Sequence, residues 1–538
     1  MTTPYDPDTV DRFLTHYWAL HPVDATFMGD MGHDHRLPPA GPTTLADELA
    51  GIAQLQALLM DCAEPADLGD RLDRAMMLAE LTIQKACATH RPRLHNPAWY
   101  SGEAAFAVIS LLLPQSAPVR HDALIARLDA IGPFLAEAKA RLTGIAVPKG
   151  WCQRAQRESV AMAEFLRGDI RLHDAFAEAW VAPALRAAEA LVQFGAQLAD
   201  LPDTDPACGH DHLAMLMREV HGLTLTPAQA ADLAQAAYDR MGDELVAMAV
   251  AIDPGKSWQQ IIAGLSVLHP ADADSVFDSY RHWDVKAVAS AQGLMTPAQD
   301  YDLDYRWLDT CFRKISQSLY FLFYRSPPAL NPGAGSVYWV TPPGADTAAF
   351  LRGNNTATVK TIHSVHHGGV GHHSQNARAR VAASRLARIA GTDCAWGLAF
   401  LGSGTLIEGW ACYVEDLLVE AQGFYSPAEI LLLKHYERRN AASVLVDIHL
   451  HTGTWSLTEA IQFYREAGFA PARIEAEVVR NSMLPGSRLM YWLGVEGIKD
   501  LRRRWTSDTV SFHDTLLSYG HVPLAWVGHE MERAGLLA

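Results

Sequence analysis

Five histidines crowd one short stretch of the chain, TIHSVHHGGVGHHSQNAR, from Thr361 to Arg378: His363, His366, His367, His372 and His373. The whole chain has 24 histidines in 538 residues, so this stretch holds an outsized share of its imidazole. Neutral imidazole offers a bare nitrogen near pH 7 and is the commonest protein metal ligand. A single histidine reads as structural, but five within eleven positions point to metal binding. On a helix, His363 and His367 stand four residues apart and share a face. That is the spacing of the H-E-x-x-H zinc helix, in which the glutamate is a general base. Here the five residues read H-S-V-H-H, with Ser364 in the glutamate's place.

The elements that must position these side chains are helical. TTLADELAGIAQLQALLMDCA carries Leu45, Leu49, Ile52, Leu55 and Leu58 at steps of three or four, the apolar stripe of an amphipathic helix. VRHDALIARLDAIGPFLAEAKARL repeats the pattern with an interruption expected at Pro133. PAQAADLAQAAYDRMGDELVAMAVAI and SPAEILLLKHYERRNAASVLVDIHLH continue it. The latter opens on Ser426 and Pro427, an N-cap followed by proline at the first helical position. SPPALNPGAGSVYWVTPPGAD, just before the histidines, reads as a loop with one strand from Val337 to Val340. Gly368, Gly369 and Gly371 are expected to break the helix inside the cluster. No repeat period of ~34 to 47 residues emerges, so a solenoid is excluded. The expected fold is all-α with a minor β element, one domain over residues 1–538, with a helical half 1–325 and a metal-site half 326–538.

A second register of the cluster carries a resemblance. HHGGVGHHSQ, His366 to Gln375, resembles the H-E-x-x-P-G-H-H-x-Q signature of the bacterial "domain of unknown function 885" family. Val370 replaces the proline, and His367 replaces the glutamate. IEGWACYVEDL resembles the family's E-G-W-A-x-Y-x-E helix, at Glu408, Gly409, Trp410, Ala411, Tyr413 and Glu415. VDIHLHTGTW resembles a D-x-x-x-H…W segment, at Asp447, His451 and Trp455. RNSMLPGSRLMYWLG resembles an R…P-G-x…Y-x-x-G segment, at Arg480, Pro485, Gly486, Tyr491 and Gly494. Near the N-terminus, YWALHPVDATFMGD resembles the family's opening.

Such proteins look like distant relatives of helical metallopeptidases, among them thermostable carboxypeptidases and angiotensin-converting enzyme. The resemblance implies a large zincin-like helical body with a central groove. It implies one divalent metal ion held by His366, by His372 or His373, and by Glu408. Zinc is favoured, and iron or manganese also suit imidazoles plus a carboxylate. Asp447 or Glu415 would orient a ligand histidine. His451, Tyr491 and Arg480 would face substrate and stabilise developing negative charge, although Glu415 and Arg480 equally fit structural ion pairs. Trp410 and Tyr413 read as core packing. His449 adds an imidazole near His451.

Neither register supplies the carboxylate that takes a proton from metal-bound water, and with it ~10²- to 10⁴-fold of general-base assistance is forfeited. Three readings are open. His367 serves as the base, and the protein is a metal-dependent hydrolase of a small amide or peptide. The site is rebuilt around histidine for non-hydrolytic, iron-dependent redox chemistry. Or the fold persists as a degenerate peptidase that only binds ligand. Hydrolysis is the simpler inheritance and is the leading expectation.

Composition limits the partners. Net charge is −17, which repels nucleic acid and anionic membrane surfaces. No signal-peptide pattern opens the chain, and stretches such as FAVISLLL are too short to span a membrane. The seven cysteines, Cys62, Cys87, Cys152, Cys208, Cys311, Cys394 and Cys412, form no C-x-x-C pair. They read as reduced thiols in a cytoplasmic protein. The expected partner is a small-molecule or peptide substrate.

Overall fold

The computed structural model describes residues 4–113, 118–299, 302–319, 324–331, 335–389 and 404–538. It is built almost entirely of helices, with a small three-stranded sheet. The all-α class with a minor β element is therefore observed. No described helix is long and apolar enough to cross a membrane.

The chain divides into two compact units. The first comprises residues 1–206, 307–335 and 384–401, and the second residues 207–306, 336–383 and 402–538. In the first unit the helices Pro97–Leu112, His121–Leu142, Lys149–Arg167 and Val181–Gln197 pack on one another. Pro97–Leu112 contains most of the FAVISLLL run and is buried at every position. It is the centre of this unit's core. Asn96 caps it, accepting the Ala98 amide at 2.9 Å.

The interruption expected at Pro133 does not occur. The helix His121–Leu142 continues unbroken through Pro133. Proline clashes with the Cβ of the residue before it, and here that residue is Gly132, which has none.

The second unit is organised by the long helices Pro227–Ile252 and Pro427–His451, which pack along each other. Both begin with a capping box on the residue before the proline, Thr226 with Gln229 and Ser426 with Glu429. Their contact face holds Met241, Ala441, Leu445 and Ile448, joined by Trp492. The strand expected over Val337–Val340 is present as Ser336–Val340 and pairs with Leu303–Trp307.

A second helix pair lies in this unit, Gly404–Leu417 against Leu489–Arg504. They cross at glycines. A Cβ on Gly494 would stand 2.3 Å from the Thr405 carbonyl oxygen and 2.7 Å from the Cα of Gly409. The glycines of two separate motifs are thus one close helix crossing. Cys394 lies outside the described residues; the six described cysteines are free thiols.

Candidate metal centre

The histidine stretch folds as helix, turn, helix. Val359–His366 is a π-helix, in which the His367 amide reaches back five residues to the Ile362 carbonyl. Such wide turns are rare and recur at functional sites. Lys360 pins this helix to Pro427–His451 by an ion pair with Glu429 at 3.0 Å, its ammonium lying over the Trp283 ring. After His366 the chain turns, and a new helix, His372–Ala379, begins.

The expected break at Gly368, Gly369 and Gly371 is observed, and its cause is space. None of the three has positive φ. A Cβ at Gly368 would lie 2.1 Å from the Ser364 carbonyl oxygen, and one at Gly371 would lie 1.9 Å from that of His366. Two side chains hold the turn. Asp284 accepts the Gly369 amide at 2.6 Å. The Trp410 indole N–H donates to the Val370 carbonyl at 3.1 Å, tying the turn to the Gly404–Leu417 helix. Burial pushes the Asp284 carboxyl up to about 6.

The turn folds three imidazoles together. Ligating atoms of His366, His367 and His372 lie within 4.8 Å of one another. Their ring centroids stand 4.6 Å, 4.9 Å and 5.5 Å apart. Glu408 joins from the neighbouring helix: its Oε2 is 3.5 Å from His366 Nε2 and 3.7 Å from His372 Nε2. On the other side of His366, Nδ1 donates to Glu415 Oε1 at 2.7 Å. Burial alone would lower the His366 pKa, but hydrogen bonds with Cys412, Glu408 and Glu415 hold it well above the usual imidazole range. Burial would raise Glu408, yet the two imidazoles keep it well below the usual carboxylate range. Three nitrogens and a carboxylate are the donor set of a zinc, iron or manganese ion.

His367 stands inside this group. Its Nδ1–H donates to the Ile362 carbonyl at 2.7 Å, which turns Nε2 into a bare acceptor. Burial first, then the neighbouring His366 and His372, hold its pKa well below the imidazole range. His367 and Glu408 are the partly exposed members, while His366 and His372 are buried.

Of the two adjacent histidines, His372 stands in the cluster. His373 turns away, its Nδ1 within 3.0 Å of the Ser336 hydroxyl at the start of the strand. His363 is not in the ligand group either. It stacks on Tyr280 at 4.8 Å and hydrogen-bonds the Tyr338 hydroxyl, and burial drives its pKa down to about 3.

The remaining expected residues have these contacts. Asp447 accepts the backbone amides of Gly486 at 3.0 Å and Arg488 at 2.7 Å, one at each oxygen, and its Oδ1 lies 3.6 Å from His451 Nε2. Fully buried His451 meets the Asn481 carbonyl oxygen at 2.9 Å. Tyr491 lies beside the Arg488 guanidinium, 5.8 Å from ring centroid to carbon. The charge of Arg480, with that of Arg488, acts on Glu477. Asp447 and His451 are fully buried against the 481–488 segment, while Arg480 and Tyr491 are partly buried. His449 stacks on Trp455 at 4.4 Å. Trp410 and Tyr413 are buried, and the Tyr413 hydroxyl pairs with His513 at 2.9 Å.

Sequence reasoning missed Cys412 and Asp284. Cys412 had a signal: with Glu408 and Glu415 it occupies positions i, i+4 and i+7 of one helix stripe. Asp284 had none, since it lies 85 residues from Gly369 in sequence.

The fold and site thus define a helical protein with an imidazole–carboxylate cluster at a glycine-rich turn. The chain belongs to the family of bacterial proteins of unknown function DUF885, whose model matches residues 22–531. No curated protein matches the chain. It is similar in fold to a protein described as a lipoprotein of unknown function from Shewanella oneidensis. That structure has a TM-score of 0.75 at 18% identity, over 97% of this chain and 99% of that one. It is also similar to a protein described as a lipoprotein from Colwellia psychrerythraea, with a TM-score of 0.69 at 17% identity, over 98% of each chain. At these identities the likeness is one of fold.

Proposed function

We propose that this chain is a metal-dependent enzyme acting on a small molecule. Its centre draws on His366, His367, His372 and Glu408, and its chemistry is redox rather than hydrolytic. The observation that carries this reading is His367. Its Nδ1 is spent on the Ile362 carbonyl, a ligating nitrogen of its ring lies with those of His366 and His372, and burial with those two rings holds its pKa well below the imidazole range. A base at that position would have to accept a proton beside His366 and His372, which disfavour the added charge. A ligand needs only the lone pair.

Four protein donors close a tetrahedral zinc ion, whereas catalytic zinc keeps one position for water. A six-coordinate ion such as iron keeps two positions open, so iron is the favoured cofactor in this reading. When bound, the ion would supply Lewis acidity and one-electron redox capacity. Glu415 orients His366, Asp284 and Trp410 hold the turn, and the partly exposed His367 and Glu408 mark the side from which substrate approaches. The chain has neither a nucleic-acid nor a membrane partner and works in a reducing cytoplasm. Low-salt gel shifts with DNA and RNA should give no retardation.

One observation favours a second reading. His366, His372 and Glu408 alone make a two-histidine, one-glutamate set, as zinc peptidases use, with Glu408 Oε2 3.5 and 3.7 Å from the two nitrogens. In that reading the protein is zincin-like, and His367 is the base of a small-amide or peptide hydrolase.

The test is a pair of variants, His367→Ala and His367→Glu, assayed for bound metal, oxygen uptake and peptide cleavage. In the redox reading, wild type consumes oxygen with its substrate, and both variants perturb the iron spectrum. Peptide cleavage by wild type that survives or improves in His367→Glu would overturn the redox reading in favour of the hydrolase.

A further inference from the structure

The helix Gly404–Leu417 turns a stripe of three donor side chains toward His366: Glu408, Cys412 and Glu415. The two carboxylates address different nitrogens of that ring. Glu408 stands at Nε2 and Glu415 at Nδ1. Between them in sequence lies Cys412. Its sulfur, a nitrogen of His366 and a Glu415 oxygen all lie within 4.8 Å of one another. This group includes neither His367 nor His372, which accompany His366 in the group described above. His366 is thus the shared member of two donor sets. The Asn440 amide also donates to the Cys412 sulfur at 3.7 Å, and a hydrogen bond of that kind tunes a ligating sulfur.

We propose a second metal position on the Nδ1 side of His366, held by Cys412 Sγ, Glu415 and His366, for a thiophilic divalent cation of the zinc class. Sulfur, nitrogen and carboxylate are zinc donors, and three of them leave the fourth tetrahedral position open. The thiolate selects against magnesium and calcium, which take oxygen ligands. Loading the position requires two deprotonations, the Cys412 thiol and the Nδ1–H that Glu415 now accepts. Both protons leave to solvent as the second ion binds. His366 then bridges two ions through its two nitrogens. The proposal depends on the first centre only through this shared ring. In the competing arrangement Glu415 keeps the Nδ1 proton and Cys412 is a bystander thiol.

Cobalt(II) is the probe, because a cobalt–thiolate bond gives an intense near-ultraviolet charge-transfer band. The reduced full-length protein, titrated anaerobically, is expected to bind two cobalt ions and to show that band. Cys412→Ser should bind one ion and lack the band, with its far-ultraviolet circular dichroism unchanged; Cys412→Ala should do the same. The wild-type spectrum tests the proposal even if both variants misfold. One ion per chain in wild type, or two ions without a sulfur band, overturns the second position and leaves the first centre standing. A Cys412→Ser protein that keeps two ions overturns it as well. No bound ion at all overturns both this proposal and the metalloenzyme reading.

Discussion

Glu415 accepts the Nδ1 proton of His366 at 2.7 Å, while Glu408, seven residues earlier on the same helix, stands 3.5 Å from the Nε2 of that ring. One imidazole is held between two carboxylates by a single helix. A carboxylate at Nδ1 fixes the ring's orientation and makes the other nitrogen a better ligand. Glu415→Gln keeps an acceptor but removes the charge. The expected result at the first centre is a metal affinity weaker by roughly 10- to 100-fold, with that centre still filled at saturation, read by competition with a chelator. Unaltered affinity would show that Glu415 plays no part in ligand orientation.

His372 and His373 are adjacent in sequence and face different partners. His372 faces His366 with ring centroids 4.9 Å apart, and His373 faces the Ser336 hydroxyl. His372→Ala is expected to abolish binding at the first centre, and His373→Ala to retain it with some loss of thermal stability. Metal analysis of the two purified variants decides the assignment; the opposite pattern would exchange their roles.

The Gly409/Gly494 crossing sets the position of Glu408. A methyl group at Gly494 would have to displace the Thr405 carbonyl, 2.3 Å away, or push the two helices apart. Overpacking of this kind costs about 1–3 kcal/mol. Gly494→Ala is expected to lower the melting temperature and, because the Gly404–Leu417 helix shifts, to weaken metal binding too. A variant with lowered stability but native metal affinity would separate the crossing from the site.

Asp447 gives a pH signature. Burial, only partly offset by the Arg488 and Gly486 amides, pushes its carboxyl from 3.8 up to about 7. The folded state then binds a proton more tightly than the unfolded state across that interval. This group's contribution is full below the unfolded value and is lost as pH rises through the folded value. Asp447→Asn cannot titrate. The stability difference between wild type and variant should therefore be largest near pH ~4 and shrink toward pH ~8, measured by thermal melts across that range. A difference independent of pH would mean that Asp447 keeps an ordinary pKa.

Much of the fold could be read in the sequence because amphipathic spacing and caps are local signals. Ser426, Pro427 and Glu429 start the helix that runs to His451 where the pattern says it should. Pro133 misled for the opposite reason. A proline is a breaker by rule, and the neighbour that relieves it, Gly132, is easy to overlook. The histidine density and the glutamate of the E-G-W-A motif point to the candidate site, and the helical spacing of Glu415 is also a local signal. The parts that could not be read depend on contacts between distant segments. Asp284 reaches Gly369 from 85 residues away, and Asp447 turned out to serve a turn at Gly486 and Arg488.

By itself the sequence determined where imidazoles and carboxylates crowd together, that helices would carry them, and that no carboxylate would follow the first histidine of either motif register. Composition and short-range periodicity suffice for these, since ligand type and helical phase are properties of the chain. Only the tertiary structure decided which imidazoles meet. The π-helix, the glycine turn and the crossing at Gly409 and Gly494 bring His366, His367, His372 and Glu408 together and send His363 and His373 elsewhere. The physical reason is steric: where backbones approach within contact distance of a missing Cβ, the path of the chain is set by its neighbours and not by its own residues.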